Sequence, residues 1–292
     1  MKKRTLLLFS VLIGRASGAL AQADTMTARP LFTANDAALA GVFALGGLAA
    51  RSLDRPVALR LQRPGTQERR LLQRSATFFN TVAVPGAFVI GPGMYIAGRL
   101  SGEHRLADLG LHGTEALIIG ELLGGAIKGM AGRARPYLSV KDPNPDDWQF
   151  MRGFGPTEGY RSFPSGHATA AFAAAAVATA EMSRWQPGSR WIVGTVMYTG
   201  AGLTGLSRMY NNRHWASDVI IGAAIGTFAG NKVVRYHHSH PGNKLDEWLV
   251  NFSVSGGKLN AIVIPRAKLV PRSARDEGRD LLFNEKRNSP SR

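Results

Sequence analysis

The chain contains no cysteine, which excludes disulfide frameworks, cysteine-ligated zinc, iron–sulfur clusters and thiol nucleophiles together. Charge is also sparse: 19% of the 292 residues are charged against 45% hydrophobic, a balance that excludes an intrinsically disordered chain. The 34 glycines follow no fixed period, so collagen is excluded as well. Alternating strand patterns are nearly missing before residue 250, and no internal repeat is visible. Long apolar runs are few. A bilayer crossing needs about 20 apolar residues; only residues 75–98 clearly reach that length, and the mean hydropathy of −0.08 is low for a polytopic protein.

Acidic residues are few beside basic ones, 20 against 36, for a net charge of +16. Residues 1–23 carry +4, residues 51–74 carry +5 and residues 264–292 carry +4, together 13 of the 16. Because the excess sits in peripheral segments and no nucleic-acid motif is present, an anionic membrane surface or an anionic substrate fits better than nucleic acid. The N-terminus combines Lys2, Lys3 and Arg4, the apolar stretch 5–14 and small-residue sites at Ala19–Ala21 or Ala21–Ala23, the composition of an export signal.

Uncharged stretches rich in Ala, Leu, Ile and Gly recur at 37–50, 75–98, 114–127, 168–180, 191–207 and 219–231. They predict an all-α protein of about six helices. Gly222, Gly226 and Gly230 place small residues on one helix face, as in helices packed closely in membranes or in soluble cores. Residues 137–163, rich in Pro, Gly, Asp and aromatics, read as a long loop with Trp148 and Phe150 on it. Residues 248–265 alternate around Gly256-Gly257 and fit one small β-hairpin. The predicted organisation is a signal at 1–23, an N-terminal helix and Arg-rich loop at 24–74, a helical domain at 75–240, and a hairpin with a basic tail at 241–292.

Three short stretches hold the polar residues that the helices otherwise exclude. Lys128 to Arg135-Pro136 closes one predicted helix, Pro164-Ser165-Gly166-His167 opens the next, and Ser207-Arg208 closes the one after; His214 and Asp218 then precede and open the last. In an up-and-down bundle these alternating ends and starts meet at one face. Three cations, two imidazoles and a helix N-terminus would surround one pocket, suited to a multiply charged anion.

Lys128, six residues, Arg135-Pro136; Pro164-Ser165-Gly166-His167; and Ser207-Arg208, five residues, His214, three residues, Asp218 resemble the complete signature of the type 2 phosphatidic acid phosphatase and vanadium haloperoxidase superfamily. The resemblance implies the family's helical bundle and metal-independent hydrolysis of phosphomonoesters or pyrophosphates, lipid-linked ones preferred. It makes His214 the nucleophile of a phosphohistidine intermediate, Asp218 the acceptor of the other ring N–H, and His167 the general acid. Lys128, Arg135, Ser165, Gly166 and Arg208 would hold the phosphoryl oxygens, with no metal and no cofactor, although vanadate could occupy the same place. A soluble periplasmic acid phosphatase, a vanadium-dependent haloperoxidase and a non-catalytic anion- or lipid-binding envelope protein stay open as alternatives.

Other residues have plainer readings. His237, His238 and His240 resemble a weak metal-ligand cluster, but they follow the last apolar stretch in a polar segment and read as a solvated linker in preference to a ligand set. Tyr210 and Trp215 read as packing residues, and Arg133 and Arg213 lie outside the family pattern. Export implies a periplasm-facing site, with integral and peripheral attachment both open. Helix alternation places the Arg-rich 51–74 segment on that same face, against the positive-inside rule.

Overall fold

The computed structural model describes residues 32–240 and, further along, the segments Phe252–Ser255 and Lys258–Ala261. The expected signal at 1–23 and the tail from Pro271 lie outside the described residues. The helices are α1 (Ala34–Leu61), α2 (Pro64–Gln67), α3 (Arg70–Thr81), α4 (Ala87–Ser101), α5 (His104–Ala131), α6 (Gly166–Trp185), α7 (Arg190–Tyr210) and α8 (Ala216–Ser239). Strands β1 (Phe252–Ser255) and β2 (Lys258–Ala261) pair antiparallel, with Ser255 opposite Lys258. The chain divides into two units, Met1–Pro241 and Gly242–Arg292.

Two expectations need correction. The Arg-rich segment 51–74 is not a loop: α1 continues to Leu61 across Pro56, and α2 and the first turns of α3 take up most of the rest. Arginine is a good helix former, and here Arg51 and Arg55 project outward to pair with Asp146 and Asp142 while Asp54 turns inward and is buried. Nor is 75–98 one helix. A π-helical turn, Val82–Gly86, separates α3 from α4, and the two are bent by 53°. Pro85 has no N–H to continue the α ladder. This break also raises the count of long helices from about six to seven among the described residues. Helix α1 is long and apolar enough to cross a membrane, and α3 with α4 pass the same test only as a bent pair.

Helix α6 lies at the centre and packs on α5, α7 and α8. Its buried surface is mostly alanine, with Ala168, Ala170, Ala173, Ala175 and Ala176 almost fully enclosed. Small side chains allow backbones to approach closely, and the glycine face of α8 completes the fit. A Cβ at Gly226 would lie 2.1 Å from the Thr169 carbonyl, and one at Gly222 would lie 2.4 Å from the Ser165 carbonyl. The Ser165 N–H donates to the Asp218 carbonyl at 3.0 Å. The glycine stripe therefore brings two helix N-termini side by side, and those termini carry His167 and Asp218.

A direct comparison tests this contact. Gly226→Ala is expected to destabilise by about 1–3 kcal/mol through overpacking. Gly200→Ala, at a helical position with open space around it, is expected to be neutral or to stabilise by up to about 1 kcal/mol. Equal unfolding midpoints for the two variants would rule out the close α6–α8 contact.

Candidate active site

The site is built on the segment that follows α5. Gly132 ends that helix at φ +54°, and a Cβ there would sit 1.8 Å from the Gln149 carbonyl, so both conformation and space demand glycine. The chain then folds back on itself. Ala134 donates to Asp147, Gln149 to Gly132, Arg135 to Gly159 and Ser162 to Arg133, at 2.8–3.0 Å. The long polar segment is thus pinned to the end of α5.

Arg133, which falls outside the family pattern, is the fixed point of this region. Its guanidinium is 1% exposed. It donates to Asp54 on α1 at 2.8 Å, to Asp218 at 2.5 Å and Ser217 at 2.8 Å on α8, and to the Pro145 carbonyl at 2.8 and 2.9 Å. Trp148 and Trp215 lie against its faces, 4.7 and 5.5 Å from the guanidinium carbon. Asp54 also accepts from the Ser217 N–H and hydroxyl. Sequence reasoning gave Asp54 no role because it stands among arginines 74 residues before the signature begins. No local pattern marks such a partner.

Lys128, Arg135, Gly166, His167, Arg208 and His214 line a single cavity of about 780 Å³. Tyr210, Arg213, Asn80, Glu121 and Glu158 are also part of its wall. Five helices direct their ends or last turns into it, as the alternating ends and starts predict. Ser165 is placed differently. It is fully buried, and its hydroxyl accepts from the Ala168 N–H at 3.4 Å, capping α6 instead of facing the cavity. Trp148 stacks on Arg133 and Phe163 and is absent from the cavity wall, and Phe150 is exposed.

The His214–Asp218 contact also departs from expectation. The His214 Nδ1 lies 2.6 Å from the Ser162 carbonyl and 3.7 Å from Asp218. A carbonyl can only accept, so the neutral ring carries its proton on Nδ1 and leaves the Nε2 lone pair free. Asp218 instead accepts from Arg133, from the Ser162 hydroxyl at 2.5 Å and from the Trp215 N–H at 2.9 Å. Its part is to hold Ser162 and to place a negative charge near the ring.

Burial dominates the electrostatics. It pushes the His214 imidazole down to about 4, with Asp218 opposing and Lys128 and Arg135 adding to the fall. Burial and then Arg208, His214, Lys128 and Arg135 push His167 down to about 3. Lys128 is lowered to about 8 by burial against the pull of Glu121, and Arg208 to about 10 by burial and Arg135. For Asp218, burial works upward, and Arg133, His214 and Ser162 overrule it. The Nε atoms of Arg135 and Arg208 are buried without a hydrogen-bond partner. A bound oxyanion would satisfy this charge at once.

Two expected outcomes follow. Removing one partner of a buried ion pair costs about 3–5 kcal/mol, so Arg133→Ala is expected to lose that much in urea unfolding; a loss under 1 kcal/mol would show that the network is not a structural centre. The buried imidazoles titrate below their ordinary value of about 6.5. Between about pH 6.5 and 4 the unfolded chain therefore binds more protons than the folded one, and stability falls as pH drops through that window. The thermal midpoint is expected to decline there, less steeply for His214→Asn.

Comparison with known proteins gives a consistent setting. Residues 111–240 match the family model described as the PAP2 superfamily. A lipid A 1-phosphatase from Porphyromonas gingivalis is 48% identical over 69 residues, covering 24% of this chain and 15% of the relative. An undecaprenyl-diphosphatase from Sulfolobus acidocaldarius is 26% identical over 150 residues, covering 50% of this chain and 63% of the relative. Neither match reaches two thirds of the relative's own length. Among solved structures, a transmembrane PAP2-type phosphatidylglycerolphosphate phosphatase from Bacillus subtilis aligns at 22% identity and TM-score 0.48, covering 70% of this chain and 96% of that one. Aquifex aeolicus LpxE aligns at 21% identity and TM-score 0.42, covering 63% and 96%. The stretch that matches the PAP2 superfamily model, residues 111–240, spans every signature position from Lys128 to Asp218.

Proposed function

We propose that the protein is a phosphatase that hydrolyses lipid-linked phosphomonoesters or pyrophosphates through a phosphohistidine intermediate. The observation that carries this reading is the shared cavity, in which two imidazoles face the buried Arg135 and Arg208 and the half-buried Lys128. The names of the two relatives, a lipid A 1-phosphatase and an undecaprenyl-diphosphatase, support a lipid-linked substrate.

The chemistry follows from the arrangement. Lys128, Arg135, Arg208 and the N–H groups at the start of α6 hold the phosphoryl oxygens and neutralise the charge that builds in the transition state. His214 Nε2 attacks phosphorus, the bond to the leaving oxygen breaks, and the ring becomes cationic. Asp218, 3.7 Å away, stabilises that charge, while the Ser162 carbonyl keeps the ring in line. His167 gives its proton to the leaving oxygen and then takes one from the water that hydrolyses the phosphohistidine. In the empty cavity His167 is neutral at neutral pH. The dianionic substrate offsets the surrounding cations and lets His167 hold the proton it must deliver. His167 therefore takes up a proton from solvent as the substrate binds.

Membrane attachment is part of the proposal. Helix α1 and the bent α3–α4 pair supply apolar surface, with Leu45, Leu48, Leu71, Phe78, Val89 and Leu100 all largely exposed. Arg51 and Arg55 near the cavity end of α1 are paired with loop carboxylates, which eases the conflict with the positive-inside rule. Export by the N-terminal signal would place the cavity in the periplasm, beside the outer leaflet of the inner membrane.

The test is a substrate panel on purified protein: phosphatidate, undecaprenyl pyrophosphate, phosphatidylglycerol phosphate and a soluble nitrophenyl ester. Lipid substrates are expected to be preferred, vanadate to inhibit, and EDTA to leave turnover intact. His167→Ala is expected to lose about 10²–10⁴-fold in kcat, and His214→Ala at least as much together with acid-labile phosphoprotein. Wild-type turnover by His214→Ala would overturn the mechanism.

A further inference from the structure

Polar side chains gather a second time, at the end of the bundle remote from the cavity. Glu181 stands 14 residues beyond His167 on α6, about 21 Å along the axis at about 1.5 Å per residue. Its carboxylate is fully buried. His112 of α5 approaches it through Nδ1 at 2.7 Å, and His238 of α8 through Nε2 at 3.0 and 3.1 Å. One donor atom from each of the three residues lies within 4.8 Å of the others. This overturns the reading of the C-terminal histidines as a solvated linker: α8 continues to Ser239, and His237 is itself buried against Glu115 at 2.5 Å.

The donor set is two imidazole nitrogens and one carboxylate oxygen from three different helices, the ligand chemistry of zinc. Bonds of about 2.0–2.2 Å in tetrahedral geometry place donors about 3.4 Å apart, so the imidazole–carboxylate spacings of 2.7 and 3.0 Å would open slightly around an ion. A fully buried carboxylate also calls for a countercharge. Asp108 lies one turn before His112 on α5 and within electrostatic reach of His112, Glu181 and His238. The His238 side chain is partly exposed, which leaves a path for the ion and a position for water.

We propose that His112, Glu181 and His238 bind one divalent transition-metal ion, zinc by its donors, which ties α5, α6 and α8 together at the end of the bundle opposite the phosphate cavity. The site is separate from catalysis, and the absence of a metal from the catalytic proposal is unaffected by it.

Purified full-length protein, stripped with EDTA, would be titrated with zinc chloride by calorimetry and by thermal unfolding. One equivalent per chain is expected to bind and to raise the unfolding midpoint. His238→Ala and Glu181→Gln are each expected to weaken binding at least about tenfold, while His240→Ala binds as wild type. Hydrolysis of the nitrophenyl ester by His238→Ala is expected to match wild type. Should Glu181→Gln fail to fold, the partly exposed His238 decides the matter. Absence of saturable uptake, or uptake unchanged in His238→Ala, would overturn the assignment.

Discussion

The buried guanidinium of Arg133 is the constraint on which the site depends. Its planar fork reaches Asp54 on α1, Asp218 and Ser217 on α8 and the Pro145 carbonyl, so one side chain fixes the relative positions of two helices and a long segment. Lysine could not do this, because a single ammonium lacks the rigid five-donor geometry. With Arg133 in place, Asp218 stays ionised and holds the Ser162 hydroxyl. The Ser162 carbonyl then orients His214. The His214 ring is aimed by a chain of contacts that starts outside the cavity.

The cavity itself is a strained electrostatic arrangement. Lys128, Arg135 and Arg208 are gathered at one end of the bundle with burial working against their charges, and two guanidinium Nε atoms lack partners. A folded protein tolerates such a cluster when stability comes from elsewhere. Here it comes from the close contact of α6 with its neighbours and from the Arg133 network. The same cations that disfavour the empty site favour an oxyanion. Attraction for an anion and the electrostatic cost of gathering the cations thus have one origin.

Polar groups collect at both ends of the bundle, and the helices between them are built from alanine and glycine within and from aliphatic side chains outside. Ile118, Leu122, Ile192 and Val196 are exposed on α5 and α7, adding to the apolar surface of α1, α3 and α4. Contiguous exposed apolar surface of this extent marks an interaction with lipid or protein. The His112–Glu181–His238 group lies beyond this middle region, so the two polar clusters are separated along the helix axes.

Much of this was legible in the chain. Helical composition, the positions of α5 to α8 and the β1–β2 pairing follow from local pattern, because each is decided within a few turns of the residues concerned. The convergence of Lys128, Arg135, His167, Arg208 and His214 followed from the alternation of helix ends and starts. Other features depended on contacts that no local pattern records. Asp54 and Arg133 are 79 residues apart, and their pairing exists only once α1 lies against the segment after α5. The acceptor for His214 is a backbone carbonyl at Ser162, which carries no residue-type signal. Ser165 capped its own helix because its hydroxyl was already within reach of a free N–H. His238 became part of a cluster because α8 ran about two turns further than its apolar stretch. Sequence by itself determined which chemical groups were present and on which helix ends they stood; tertiary structure decided which of them touched, since partner choice among buried polar groups is set by helix packing at distances the chain order does not encode.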